Sequence, residues 1–298
     1  MVHTEGTFKG FGGIDLYYQS WHPDGEVRGV VVMVHGLGGH SDLFAPAVQY
    51  LLSQNHDVYA FDLRGHGHSP GQRGHIHAWY EFREDLHAFL KFIDHQRATC
   101  PCHYFLWGHS LGGTIVLDYA LRSPDLLKGV IVTAPALGKV CISPAKLALG
   151  HIFSEIWPRF TVKLGIRNEV CDRNPEMCSV YLQDTRRHEY GTARLAKEFF
   201  ATVDWINQHA SDLRVPLLLL HCSTDQVTLA EASREFFQRL NGSDKEYLEY
   251  PTCYHDMLVD DDHQILEDLG HWIDRHLEGA DTCEPLPLYA LSTSIPAL

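Results

Sequence analysis

His103-Tyr104-Phe105-Leu106-Trp107-Gly108-His109-Ser110-Leu111-Gly112-Gly113-Thr114 sets the pattern Gly-x-Ser-x-Gly between two different periodicities. The residues before Gly108 form a short aromatic and apolar run of the kind that fills a buried strand. From Leu111 to Leu121 the apolar residues are spaced as on an amphipathic helix. A strand, a tight turn and a helix in that order push the Ser110 hydroxyl off the strand end on a strained corner. Glycines leave room for that corner and for close helix packing. A glycine-rich loop that merely contains a serine is the bland alternative, and the flanking strand and helix weigh against it.

Similar strands recur along the chain. Gly29-Val30-Val31-Val32-Met33-Val34 is almost continuously apolar, as a strand buried on both faces should be. Strands are also expected at 57–61, 129–133, 215–220 and 245–250, with helices over Phe82–Ile93, Leu111–Leu121 and Ala230–Leu240 and a last helix near Ile265–Leu277. This alternation predicts an α/β fold with a mostly parallel central sheet flanked by helices. Thr7–Gly10 and Ile14–Tyr18 read as an antiparallel hairpin at the sheet edge. Between Pro135 and Leu213 the alternation breaks: helical patterns occur but no convincing strand. The expected organisation is therefore core 1–135, an inserted helical lid 136–213, core 214–280 and a loosely held tail 281–298. Within the lid, Leu147, Leu149, Ile152, Phe153, Ile156, Trp157, Phe160 and Val162 either pack the core or face a greasy substrate or membrane surface.

Composition narrows the function. Lys+Arg is 24 against Asp+Glu 38, a formal charge of −14, and no basic run exists. Such a surface repels phosphate backbones, so a nucleic-acid partner is not expected. The polar start Met1–Gly6 reads as no secretory signal, and no apolar run reaches the ~20 residues a membrane span needs. Eight scattered cysteines then read as reduced thiols of a cytoplasmic protein.

A serine hydroxyl needs a base to take its proton, and the base needs a carboxylate to fix its tautomer. Asp225 follows the most apolar strand, Leu217–Leu220, and so lies at the same sheet edge as Ser110. By itself it would equally suit a turn that caps the helix near Thr228. His255 lies in the loop after the last strand. Among 21 histidines it is singled out by loop placement and chain order, while His263, His271 and His276 lie in or beside the final helix. Asp256 and Asp260-Asp261-Asp262 are rival carboxylates, but a sequence neighbour rarely reaches its own histidine in the required geometry. The oxyanion hole would be the backbone N–H groups of Leu111 and Leu37, the latter in the glycine-rich loop His35–Ser41. His66-x-His68 and His75-x-His77 raise the thought of a metal, but no third ligand accompanies them, so no metal and no cofactor is expected. A structural loop with Asp62 paired to Arg64 is the preferred reading there.

Taken together, the chain resembles the serine α/β-hydrolases of the monoacylglycerol lipase and lysophospholipase group. The resemblance rests on His35-Gly36-Leu37-Gly38, Asp62 to Ser69 with Gly71-Gln72-Arg73-Gly74, Gly108 to Gly113, Asp225 and Tyr254-His255. Arg173-Asn174-Pro175-Glu176 also looks like the bacterial lysophospholipase-type members. Cys222 departs from the family's usual glycine, and Gln226 from a frequent basic residue. The resemblance implies a small-molecule substrate, a single-chain acylglycerol, a lysophospholipid or a related ester, while the apolar lid residues themselves suggest a transient membrane-surface contact. A peptidase or thioesterase of the same fold and a non-catalytic binding protein on this scaffold are the alternatives. A peptidase would draw on lid carboxylates such as Glu169, Asp172, Glu176, Asp184 and Glu189.

Overall fold

The computed structural model describes residues 1–97, 104–138, 154–164, 183–253, 255–257 and 263–277. Leu147–Phe153, the motif 173–176, Tyr254, Glu169, Asp172, the acidic run 260–262 and the tail 281–298 lie outside the described residues. Of the cysteines, Cys222 and Cys253 are described, and both are buried free thiols.

In chain order the strands are β1 Val2–Lys9, β2 Asp15–His22, β3 Gly29–Val34, β4 His56–Phe61, β5 Tyr104–His109, β6 Leu127–Thr133, β7 Thr161–Lys163, β8 Tyr190–Thr192, β9 Leu217–Cys222 and β10 Lys245–Tyr250. The helices are α1 Ala45–Ser53, α2 Tyr80–Gln96, α3 Leu111–Arg122, α4 Ala193–Gln208, α5 Ala230–Arg239 and α6 His263–Leu277. Eight strands form one sheet in the order β1-β2-β4-β3-β5-β6-β9-β10. The hairpin of β1 and β2 is antiparallel and packs at the edge on β4, and every pairing from β4 to β10 is parallel.

Alternation along β3 explains the two layers. Val30, Val32 and Val34 face a core completed by α2, α3, α4 and Phe236 of α5. Val31 and Met33 face the opposite core, closed by α1 and by Ile265, Leu269, Trp272 and Ile273 of α6. Each such side chain taken out of water contributes ~1.5–3 kcal/mol, so β3 alone is a major source of cohesion. The strand order reverses at β3, because β4 lies on one side of it and β5 on the other. Loops leaving the carboxyl ends of β3 and β5 therefore face each other across a crevice. Those loops are 35–40 and Ser110.

Three findings depart from the sequence reading. A helix, α1, sits between β3 and β4, where its nine residues and Pro46 gave too short a periodic signal. The interval after Pro135 does contain strands: β7 and β8 pair antiparallel over three residues each, too few to show alternation. The pairing of Asp62 with Arg64 is wrong. Arg64 lies between α2 carboxylates, with Nε 2.6 Å from Asp85 Oδ2 and Nη1 3.0 Å from Glu81 Oε1. Asp62 instead accepts backbone N–H bonds from Ser41 (2.7 Å) and His68 (2.8 Å), tying the loop after β4 to the loop after β3.

Candidate active site

Ser110 leaves β5 and precedes the first residue of α3 with φ 53° and ψ −118°. Such a conformation costs a non-glycine residue ~1–3 kcal/mol unless its surroundings impose it. Here they do. The Ser110 N–H donates to the Thr133 carbonyl at 3.0 Å, and its own carbonyl accepts from Thr114 and Ala136 at 3.2 Å each. Gly112 lets α3 lie against β3, since a Cβ there would stand 2.0 Å from the Val34 carbonyl oxygen.

The structure brings together the three distant residues singled out in the sequence. His255 Nε2 lies 2.9 Å from Ser110 Oγ, and His255 Nδ1 lies 2.8 Å from Asp225 Oδ2. All three are buried, Ser110 at 8% exposure, Asp225 at 5% and His255 at 7%. With Asp225 beyond it, Nδ1 carries the proton and Nε2 presents its lone pair to the serine hydroxyl. Asp225 also does what a turn aspartate does: its Oδ1 accepts the N–H groups of Val227 and Thr228 at 2.8 and 2.9 Å. Burial alone would raise its pKa. Hydrogen bonds from His221 and His255 outweigh that penalty, and the carboxyl is held well below its ordinary range.

Sequence reasoning missed Thr228 and His221. The Thr228 hydroxyl stands 2.9 Å from Asp225 Oδ2 and 3.1 Å from the Ala134 carbonyl. His221 Nε2 lies 3.2 Å from Asp225 Oδ2, while its Nδ1 faces Ser233 Oγ at 2.8 Å. The rival carboxylate Asp256 engages His109 and Arg187. Its Oδ1 lies 3.3 Å from His109 Nε2, and Oδ2 lies 3.7 Å from Arg187. Burial would raise the Asp256 pKa, but His109 and Arg187 bring it down to about 2. Burial pushes the His109 imidazole below its ordinary value, with Asp256 opposing.

Leu37, in the loop after β3, lines the same cleft as Ser110, and Leu111 follows the serine as the first residue of α3. Neither backbone N–H donates to an acceptor among the described residues. The cleft above Ser110 is lined by Leu37, Leu43 and Val227, with Arg187, His188 and Glu189 crossing from the segment before β8. The paired histidines outside the cleft do other things. His66 Nδ1 donates to the Arg64 carbonyl at 2.9 Å, and His75 Nδ1 lies 3.2 Å from Thr192 Oγ1. Asp184, one of the carboxylates a peptidase would recruit, is engaged by His40 Nε2 at 2.5 Å and by Arg186.

Comparison with known proteins shows which proteins the chain is similar to. A family profile described as serine aminopeptidase, S33 matches residues 25–262. A monoacylglycerol lipase of Mycolicibacterium smegmatis is 30% identical over 93% of this chain and 99% of its own length. The human monoglyceride lipase is 24% identical, covering 91% of this chain and 90% of the relative. Among solved structures, the Paleococcus ferrophilus monoacylglycerol lipase superposes with a TM-score of 0.79 at 31% identity, over 88% of this chain and 99% of that one.

Proposed function

The chain belongs to the serine α/β-hydrolases of the S33 family, and from that membership we propose that it cleaves single-chain lipid esters, monoacylglycerols or lysophospholipids, through an acyl-enzyme on Ser110. The observation that carries this reading is the unbroken line Ser110 Oγ–His255 Nε2 at 2.9 Å and His255 Nδ1–Asp225 Oδ2 at 2.8 Å. Ser110 Oγ attacks the ester carbonyl while His255 Nε2 takes its proton. Asp225 holds the imidazole in the reactive tautomer and stabilises the cation that forms. The carbonyl oxygen, now negative, is received by the N–H groups of Leu37 and Leu111. His255 returns the proton to the leaving alcohol, and water, activated by the same imidazole, releases the fatty acid.

An apolar cleft wall of Leu37, Leu43 and Val227 suits an acyl chain, and the segment 136–213 would act as its lid. Among the described residues no helix is long and apolar enough to cross a membrane. Ile156 and Trp157, 78% and 59% exposed beside β7, would meet a lipid surface from outside. Purified chain is expected to turn over 1-monoacylglycerol and long-chain p-nitrophenyl esters, and fluorophosphonate is expected to label Ser110 at one equivalent. Turnover confined to aminoacyl amides would make it a peptidase instead. No labelling of folded chain would leave only a binding role.

A further inference from the structure

We propose that the floor of the cleft is also an inhibitory site for a divalent transition-metal ion, zinc foremost, held by His109 Nε2, His255 Nε2 and a carboxylate oxygen of Asp256. The inference rests on reading His255 as the base, because occupation of its Nε2 is what stops turnover. Among the described residues these three form the group whose ligand atoms converge, all lying within 4.8 Å of one another. Two nitrogen or oxygen ligands on one tetrahedral zinc stand roughly 3.3 Å apart, given bonds of about 2.0–2.2 Å. His109 Nε2 and Asp256 Oδ1 are already 3.3 Å apart. The His255 ring lies 4.9 Å from the His109 ring, centroid to centroid. A small swing of the His255 imidazole completes the set.

The outer contacts match what holds metal-binding imidazoles in place. Such a histidine commonly has its other ring nitrogen against a carboxylate or another polar oxygen. Here His255 Nδ1 is set by Asp225 at 2.8 Å, and His109 Nδ1 lies 3.2 Å from Thr133 Oγ1. Two imidazoles and one carboxylate are a donor set zinc favours and magnesium does not. All three side chains line the open cleft, which supplies an entry path and a fourth position for water. The formal charge of −14 draws cations toward the surface. Arg187 opposes binding, since its guanidinium lies 3.7 Å from Asp256 Oδ2. When the metal binds, the His255 lone pair that accepted the Ser110 hydroxyl proton is given to the ion, and the Ser110 hydrogen bond is lost.

The test uses the full chain. Zinc chloride is added to ester turnover, to fluorophosphonate labelling and, with the Ser110→Ala chain, to competition with a chromophoric chelator. Zinc should inhibit turnover and labelling in parallel, EDTA should restore both, and magnesium should do neither. Ser110→Ala should bind one equivalent of zinc, because Ser110 is no ligand. His109→Asn and Asp256→Asn should each raise the half-inhibitory zinc concentration at least ~10-fold, measured against each variant's own metal-free rate, and Arg187→Gln should lower it. Unchanged inhibition in both folded variants, or no zinc bound by Ser110→Ala, overturns the site. An active, labelled chain that ignores zinc refutes this inference alone, whereas a metal-free chain without turnover or labelling refutes the lipase reading.

Discussion

Lowering the pH from 7.5 to 5 should remove a large part of this protein's stability before its ordinary carboxylates titrate. His35, His56 and His75 are buried, at 2%, 0% and 9% exposure, and each is lowered from 6.5 to about 4. Burial is the main cause in all three. Arg28 adds to it at His56 and His77 at His75, while Asp62 opposes it at His35. A histidine with a lowered folded-state pKa binds fewer protons folded than unfolded. Its contribution is therefore intact above pH 6.5 and lost as the pH falls toward 4. At pH 5 the loss is ~2 kcal/mol per residue, or ~6 kcal/mol for the three, against a typical total of 5–15 kcal/mol. His66, lowered well below its ordinary value by complete burial, acts in the same direction. The depressed carboxylates Asp225 and Asp256 add nothing in this window, because their stabilisation disappears only below the ordinary carboxylate pKa of ~3.9. Urea titrations at pH 7.5, 6.5, 5.5 and 5.0 measure the loss directly. His56→Gln should reduce the loss at pH 5 by ~2 kcal/mol. Stability flat within ~1 kcal/mol from pH 7.5 to 5 would refute the reasoning.

Three further outcomes are expected. Gly112→Ala drives a Cβ to 2.0 Å from the Val34 carbonyl oxygen; it should cost ~1–3 kcal/mol in urea unfolding and about 100-fold in kcat, because the serine moves with α3. Gly242→Ala, whose Cβ would meet nothing nearer than 3.7 Å, serves as the neutral control. Asp225→Asn should fold yet lose about 10,000-fold in kcat on p-nitrophenyl esters, because an amide can leave the His255 tautomer reversed. Arg64→Met leaves Asp85 buried without its guanidinium partner and should cost ~3–5 kcal/mol, and the double variant with Asp85→Leu should recover a large part of it.

The parts of this fold that were legible are those in which local sequence and tertiary role coincide. β3 is apolar on both faces because both faces are buried, so its composition alone reveals a central strand. The Ser110 corner is legible because glycine, serine and a change of period occur within one stretch. Asp225 and His255 could be placed by chain order, since the parallel strands β3, β4, β5, β6, β9 and β10 all end at one edge. Arg64 was misread because partner choice is a tertiary fact. Asp62 is two residues away in sequence, yet its carboxylate is spent on the Ser41 and His68 amides, and the partner Asp85 lies a helix later. Thr228 and His221 carried no signal either. A hydroxyl in a turn and a histidine ending an apolar strand declare themselves only once Asp225 lies between them.

The loop proposed to receive the oxyanion separates motif from what positions it. Its glycines are readable at 36, 38 and 39, yet what positions them lies far away in the chain. From below, the Asp62 carboxylate takes the Ser41 amide, and from within, the Gly39 N–H closes on the Gly36 carbonyl at 3.1 Å. From above, His188 N–H donates to the Gly38 carbonyl at 3.1 Å, and the His188 carbonyl oxygen would be 1.7 Å from any Cβ at position 38. Gly38 has φ 75°, and Gly74, packed under the Tyr190 carbonyl, has φ 64°; there the Thr192 N–H reaches the Gly74 carbonyl at 2.9 Å. Both residues therefore meet two demands that glycine satisfies together, a left-handed backbone and room for another chain segment. The segment 188–192 is thereby locked in register across two loops of the core. In the proposed mechanism the aim of the Leu37 amide would thus depend on the stretch between β6 and β9, and a change in that stretch would reach the ester carbonyl without touching Ser110, His255 or Asp225.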